Sequence, residues 1–168
     1  MKTTTEPKGR QDFHILITDD DDRCREALRD IMEPEGFRTL LASSGEEALD
    51  IVRGVGVHLV LLDMHMPTLT GLETLQLARQ INALLPAILM TADSSQSLMR
   101  QALQAHVYTV LPKPIAKNVV LYTVVRALEH CYGVQRRAAD KEEPLKEHRG
   151  HEGSTAERQD RGQTSGGR

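Results

Sequence analysis

Four aspartates in a row, Asp19, Asp20, Asp21 and Asp22, directly follow the apolar run HILIT, and a fifth, Asp63, closes the run HLVLLD. Adjacent carboxylates repel, and burying one without a partner is costly, so such a cluster needs a cation or a helix end beside it. Oxygen donors of this kind suit a hard cation such as Mg2+, which takes one or two carboxylates, keeps several waters and often shares its shell with phosphate. Two other residue types complete a reactive set. Thr91 ends AILMT and offers a hydroxyl; Lys113 lies in LPKPI and offers an ammonium. A carboxylate beside a metal, with a lysine and a hydroxyl in reach, has what phosphoryl transfer requires: a nucleophile, charge neutralisation and a hydrogen-bond donor.

Each residue alone has a plainer account. Acids ahead of a helix favour its N-terminus by ~0.3–1 kcal/mol each, which suffices for Asp21 and Asp22. A strand-terminal aspartate can be a turn residue, Thr91 fits a strand by propensity, and Lys113 can be a solvated loop lysine. What favours chemistry is the elements that carry them. Apolar runs at 14–18, 38–42, 58–63, 87–91 and 108–112 are mostly continuous rather than alternating, as in parallel strands covered on both faces. Helix signals lie between them: Asp21 and Asp22 after the first run, the serines before GEEALDIVRG, Gly71 before LETLQLARQIN, Asp93 and Ser94 before SQSLMRQALQA, and AKNVVLYTVVRALEHCYG at the end. This β-α alternation predicts an α/β fold, an open doubly wound parallel sheet with helices on both faces. Sites in such sheets form at the carboxyl ends of the strands. Those ends deliver Asp19, Asp20, Asp63, Thr91 and Lys113.

The remainder of the chain sets bounds. A composition of 39% hydrophobic and 27% charged residues fits a soluble globular domain, and a net charge of −3 argues against a basic nucleic-acid binder or a polybasic membrane binder. Cys24 and Cys131 are far apart and lack the spacing of a disulfide framework or zinc site, so reduced thiols are expected. The first residues carry no apolar signal-peptide core, and no run approaches the ~18–20 apolar residues that span a bilayer. A cytoplasmic location follows as the expectation. Residues 1–11 and 133–168 are polar, with hardly an aliphatic side chain, and are expected to be disordered. One domain over residues 12–132 remains, and the polar tail predicts no folded output module and no direct DNA binding.

Taken together, ILITDDDD, LVLLDMHMPTLTG, ILMTA and LPKPI, in this order and spacing, resemble the receiver domain of two-component response regulators over residues 14–132. The resemblance implies the flavodoxin-like, five-stranded order 2-1-3-4-5. It implies Asp63 as the phosphoacceptor, Mg2+ held by Asp19, Asp20, Asp63 and the backbone carbonyl of His65, and Thr91 and Lys113 in contact with the phosphoryl group. It further implies a cis Lys113–Pro114 bond. His65 and Asp93 flank the site at positions that tend to tune how fast the phosphoryl group is lost. The implied donor is a sensor histidine kinase or a histidine phosphotransfer protein. The implied output is protein–protein contact through the fourth helix, fifth strand and fifth helix, about residues 94–131, which could also support a homodimer.

Three positions depart from the family pattern. Val110 stands where a switch Tyr or Phe is usual, with Tyr108 two residues earlier on the same strand face, and His106-Val107 replaces a usual Gly-Ala. A receiver fold that acts as a constitutive binding module, its switch lost, is therefore the alternative. A Mg2+ phosphatase of the haloacid-dehalogenase type would want a second aspartate where His65 stands.

Overall fold

The protein is described by a computed structural model over residues 12–133, so both polar extensions expected to be disordered lie outside the described residues, Gly133 excepted. Five strands, β1 (His14–Thr18), β2 (Arg38–Ala42), β3 (Leu59–Asp63), β4 (Ala87–Thr91) and β5 (Thr109–Pro112), form one sheet in the order β2-β1-β3-β4-β5. Every pairing is parallel. Five helices alternate with them: α1 (Asp22–Met32), α2 (Gly45–Gly54), α3 (Gly71–Ile81), α4 (Gln96–Gln104) and α5 (Lys117–Tyr132). The expected α/β architecture and strand order are both present.

Side-chain alternation along the strands divides the core in two. Leu16, Leu62 and Leu89 pack with Leu49 of α2, Leu75 of α3 and Leu98 of α4. Their neighbours Ile17, Leu61 and Met90 pack with Leu28 of α1 and Val124 of α5. The central strands are covered on both faces, which explains their unbroken apolar runs, while β2 and β5 are more exposed edges. Asp19, Asp63 and Lys113 fall in step with the α1/α5 face of their strands, and Thr91 with the opposite face.

Local chemistry sets the helix starts. Asp21 caps α1 by accepting the Arg23 N–H, and Ser44 caps α2 by accepting from Glu47. Thr70 and Glu73 form a reciprocal capping box on α3. α4 begins at Gln96, one residue into the expected stretch SQSLMRQALQA, and its cap is Ser95 rather than Asp93 or Ser94. The Asp93 carboxylate instead accepts the Ser95 N–H at 2.8 Å, turning the chain, and Ser95 caps the helix. β3 and β5 also begin one residue late, at Leu59 and Thr109, although His58 and Tyr108 still donate their N–H groups to His14 and Ala87 at the amino edge of the sheet. Gly71 is sterically required near the carboxyl edge. A Cβ on Gly71 would lie 2.4 Å from the Asp63 carbonyl oxygen, so only glycine lets α3 start this close to β3. No helix among the described residues is long and apolar enough to cross a membrane.

Candidate functional site

The carboxyl ends of β1, β3, β4 and the loop after β5 bring all five expected side chains to one rim. Asp19, Asp20 and Asp63 place carboxylate oxygens within 4.8 Å of one another, with Asp19 and Asp63 buried and Asp20 exposed. The Lys113 ammonium lies 2.7 Å from Asp19 Oδ2 and 3.3 Å from Asp63 Oδ1, bridging the two buried acids. Lys113–Pro114 is cis, as the resemblance implied. Thr91 is buried at the end of β4, where its Oγ1 accepts the Asp93 N–H at 3.0 Å. A threonine hydroxyl that accepts one bond still has its proton to donate.

Electrostatics separates the two buried acids. Burial, and then the charge of Asp19, push the Asp63 carboxyl above its ordinary range, and Lys113 only partly offsets them. Asp19 is buried too, which alone would raise it. The Lys113 ammonium, the Asp21 N–H and the Cys24 thiol together outweigh that and hold it below the ordinary range. Lys113 is in turn raised: burial works against its charge, but the bond to Asp19 prevails. Burial and Asp19 push the Cys24 thiol up to about 12, so it stays a protonated neighbour of the acids. Asp19 is thus a firm anion, while Asp63 is a carboxylate short of positive charge. Three hard oxygen donors this close, one of them incompletely neutralised, fit a small divalent cation.

His65 is exposed, and its N–H donates to Asp63 Oδ1 at 3.4 Å. Asp93 spends its carboxylate on Ser95. Val110 packs half-buried against the core on the α2–α4 side. Tyr108 lies at the opposite, amino edge of the sheet, its ring 5.9 Å from that of His130. Tyr108 therefore sits away from the acid cluster and does not take the place that Val110 leaves.

Arg25 and Cys24 also border this site; the sequence marked Cys24 only as a reduced thiol and did not mark Arg25. An arginine three residues after Asp22 on a helix is a readable charge pair. That its second donor reaches the backbone of Asp19 is not readable without the fold.

Comparison with known proteins follows the same residues. The family model described as the response regulator receiver domain matches residues 15–125. The response regulator MprA of Mycolicibacterium vanbaalenii is 38% identical over 107 residues, covering 64% of this chain and 46% of its own. The transcriptional regulatory protein ZraR of Escherichia coli is 32% identical over 120 residues, 71% of this chain and 27% of its own. The chain thus spans less than half the length of these curated relatives. Among solved structures, a CheY-like receiver domain protein from Methanospirillum hungatei aligns with a TM-score of 0.68 at 25% identity, covering 71% of this chain and 95% of that one. The CheX–CheY–BeF3–Mg2+ complex from Borrelia burgdorferi aligns with a TM-score of 0.64 at 27% identity, covering 68% and 87%.

Proposed function

Because the chain belongs to the family of response regulator receiver domains, we propose that it accepts a phosphoryl group on Asp63 and signals by protein–protein contact. The observation that carries this reading is the bridge of Lys113 between Asp19 and Asp63, with Asp20 beside them and the Thr91 hydroxyl on the same rim. An Asp63 carboxylate oxygen attacks phosphorus, a P–O bond forms, and the bond from phosphorus to the donor's imidazole nitrogen breaks. The departing imidazole keeps the electron pair. Lys113 moves its charge from Asp63 to the phosphoryl oxygens, and the Thr91 hydroxyl donates a hydrogen bond to one of them. Asp19, Asp20, Asp63 and the His65 carbonyl would hold Mg2+, which when bound neutralises charge on the phosphoryl oxygens. On this reading the protein catalyses only its own phosphorylation and dephosphorylation, with a histidine kinase or phosphotransfer protein as donor.

The output surface fits the α4–β5–α5 face. Leu103 of α4 is 76% exposed and Tyr122 of α5 is 63% exposed, with Met99 and Val119 also open to solvent. Exposed large apolar side chains on these two helices support a protein partner. A constitutive binding module is the second reading, and one observation favours it: Val110 is already packed into the core, and Tyr108, two residues earlier, packs beside His130 at the amino edge of the sheet.

Intact mass after incubation with Mg2+ and a small-molecule phosphodonor separates the two. One phosphoryl group is expected on the wild type and none on Asp63→Asn. No added mass on the wild type, with hydrolysis slow enough to have retained it, would leave the constitutive module.

A further inference from the structure

The four-aspartate run presents a sorting problem. All four carboxylates are close in sequence, yet only Asp19 and Asp20 join the cluster with Asp63. Asp21 is turned away as the cap of α1. Asp22 pairs with Arg25, whose second amino group sits on its Oδ1. The other amino group of Arg25 donates to the carbonyl oxygen of Asp19 at 2.5 Å. The arginine side chain is only 13% exposed, against 80% for Asp22, so the fork is enclosed rather than a loose surface pair. Its charge also reaches Glu47 in the first turn of α2, a carboxyl lowered mainly by the Ser43 N–H and hydroxyl and then by Arg25.

The Asp19 bond matters because of what lies on either side of Asp20. The peptide before Asp20 is held through the Asp19 carbonyl by Arg25. The peptide after it is held through the Asp21 N–H, which donates to Asp19 Oδ1 at 2.9 Å. With both flanking peptide planes tied, the direction of the Asp20 Cα–Cβ bond is set, although its carboxylate is itself exposed. We propose that Arg25 is a positioning residue for the divalent cation: by binding the Asp19 carbonyl and drawing off Asp22, it aims Asp20 at the cluster. This inference rests on the metal-binding reading of the three acids.

Charge and geometry predict opposite signs here. Removing a cation and releasing Asp22 makes the neighbourhood more negative, so electrostatics alone would tighten Mg2+ binding. Loss of positioning weakens it. The full chain is titrated with Mg2+ by calorimetry, in the wild type, Arg25→Met, Arg25→Lys, Asp22→Asn and Asp20→Asn, with circular dichroism to confirm folding. Arg25→Met and Arg25→Lys are expected to weaken binding about tenfold, the range of outer-shell ligand supports. Asp22→Asn, which leaves the Asp19 carbonyl bond in place, is expected to weaken it far less. Unchanged or tighter binding in the Arg25 variants, with Asp20→Asn still impaired, would overturn the positioning role alone. If Arg25→Met fails to fold, Arg25→Lys decides. A wild type that takes up no Mg2+ would overturn the metal reading, and this inference with it.

Discussion

At the scale of single residues, the site shows how one side chain changes meaning with its partner. Asp19 and Asp63 are both buried aspartates, yet Lys113 holds one below and leaves the other above the ordinary carboxyl range. A side chain just before the site carries a clear liability. Thr18 is fully buried at the end of β1, and its hydroxyl finds no hydrogen-bond partner among the described residues. A buried, unpaired hydroxyl costs about 1–3 kcal/mol. Thr18→Val keeps the branched shape and removes that cost, so urea denaturation should show a gain of about 1 kcal/mol with an unchanged slope. A loss of stability would mean that the hydroxyl is satisfied in solution.

At the scale of elements, the decisive contact joins the end of β3 to the start of α3. Gly71 donates its N–H to the Met64 carbonyl at 2.9 Å and leaves no room for a Cβ against the Asp63 carbonyl. Gly71→Ala must push α3 away or shift the last residue of β3. A loss of about 1–3 kcal/mol is expected, as for other overpacked sites. Because the displaced atom belongs to Asp63 itself, phosphorylation should slow under conditions where the variant is still folded. Thermal unfolding and the rate of mass gain, measured on the same sample, check both parts. The sequence marked Gly71 as a helix opener, which it is, but the close approach that requires glycine exists only between two packed elements.

At the scale of the whole molecule, the edge of the sheet opposite the acids ties β1, β3 and α5 together. His58 accepts the His14 backbone N–H on Nδ1 at 3.0 Å, stacks near the His14 ring and packs edge-on against Phe13. Tyr132, at the end of α5, donates its hydroxyl to the His58 carbonyl at 2.7 Å. Burial first, and then His14, lower the His58 pKa from 6.5, with Asp12 opposing. Below an unfolded-state value of roughly 6.5, the unfolded chain therefore takes up a proton that the folded one refuses. Stability from this group is full above that pH and is lost as the pH falls toward the lowered folded value. Urea midpoints between pH 8 and 5 should fall more steeply for the wild type than for His58→Gln; equal slopes would remove His58 from the pH response.

Much of this was legible in the order of residues, for physical reasons. Continuous apolar runs between capped helices admit few arrangements other than a parallel sheet, and parallel sheets collect polar strand ends on one rim, so Asp19, Asp20, Asp63, Thr91 and Lys113 could be named together. Side-chain and backbone pairings between residues distant in sequence were not legible, because they depend on where packed elements come to rest. The tertiary structure alone decided that Lys113 bridges Asp19 and Asp63, that Tyr108 stands at the far edge of the sheet from Asp63, and that His58 joins β1 to α5. Even the run of four aspartates needed the fold to be sorted. The sequence determined that so many carboxylates must find partners, and packing determined which partner each one found.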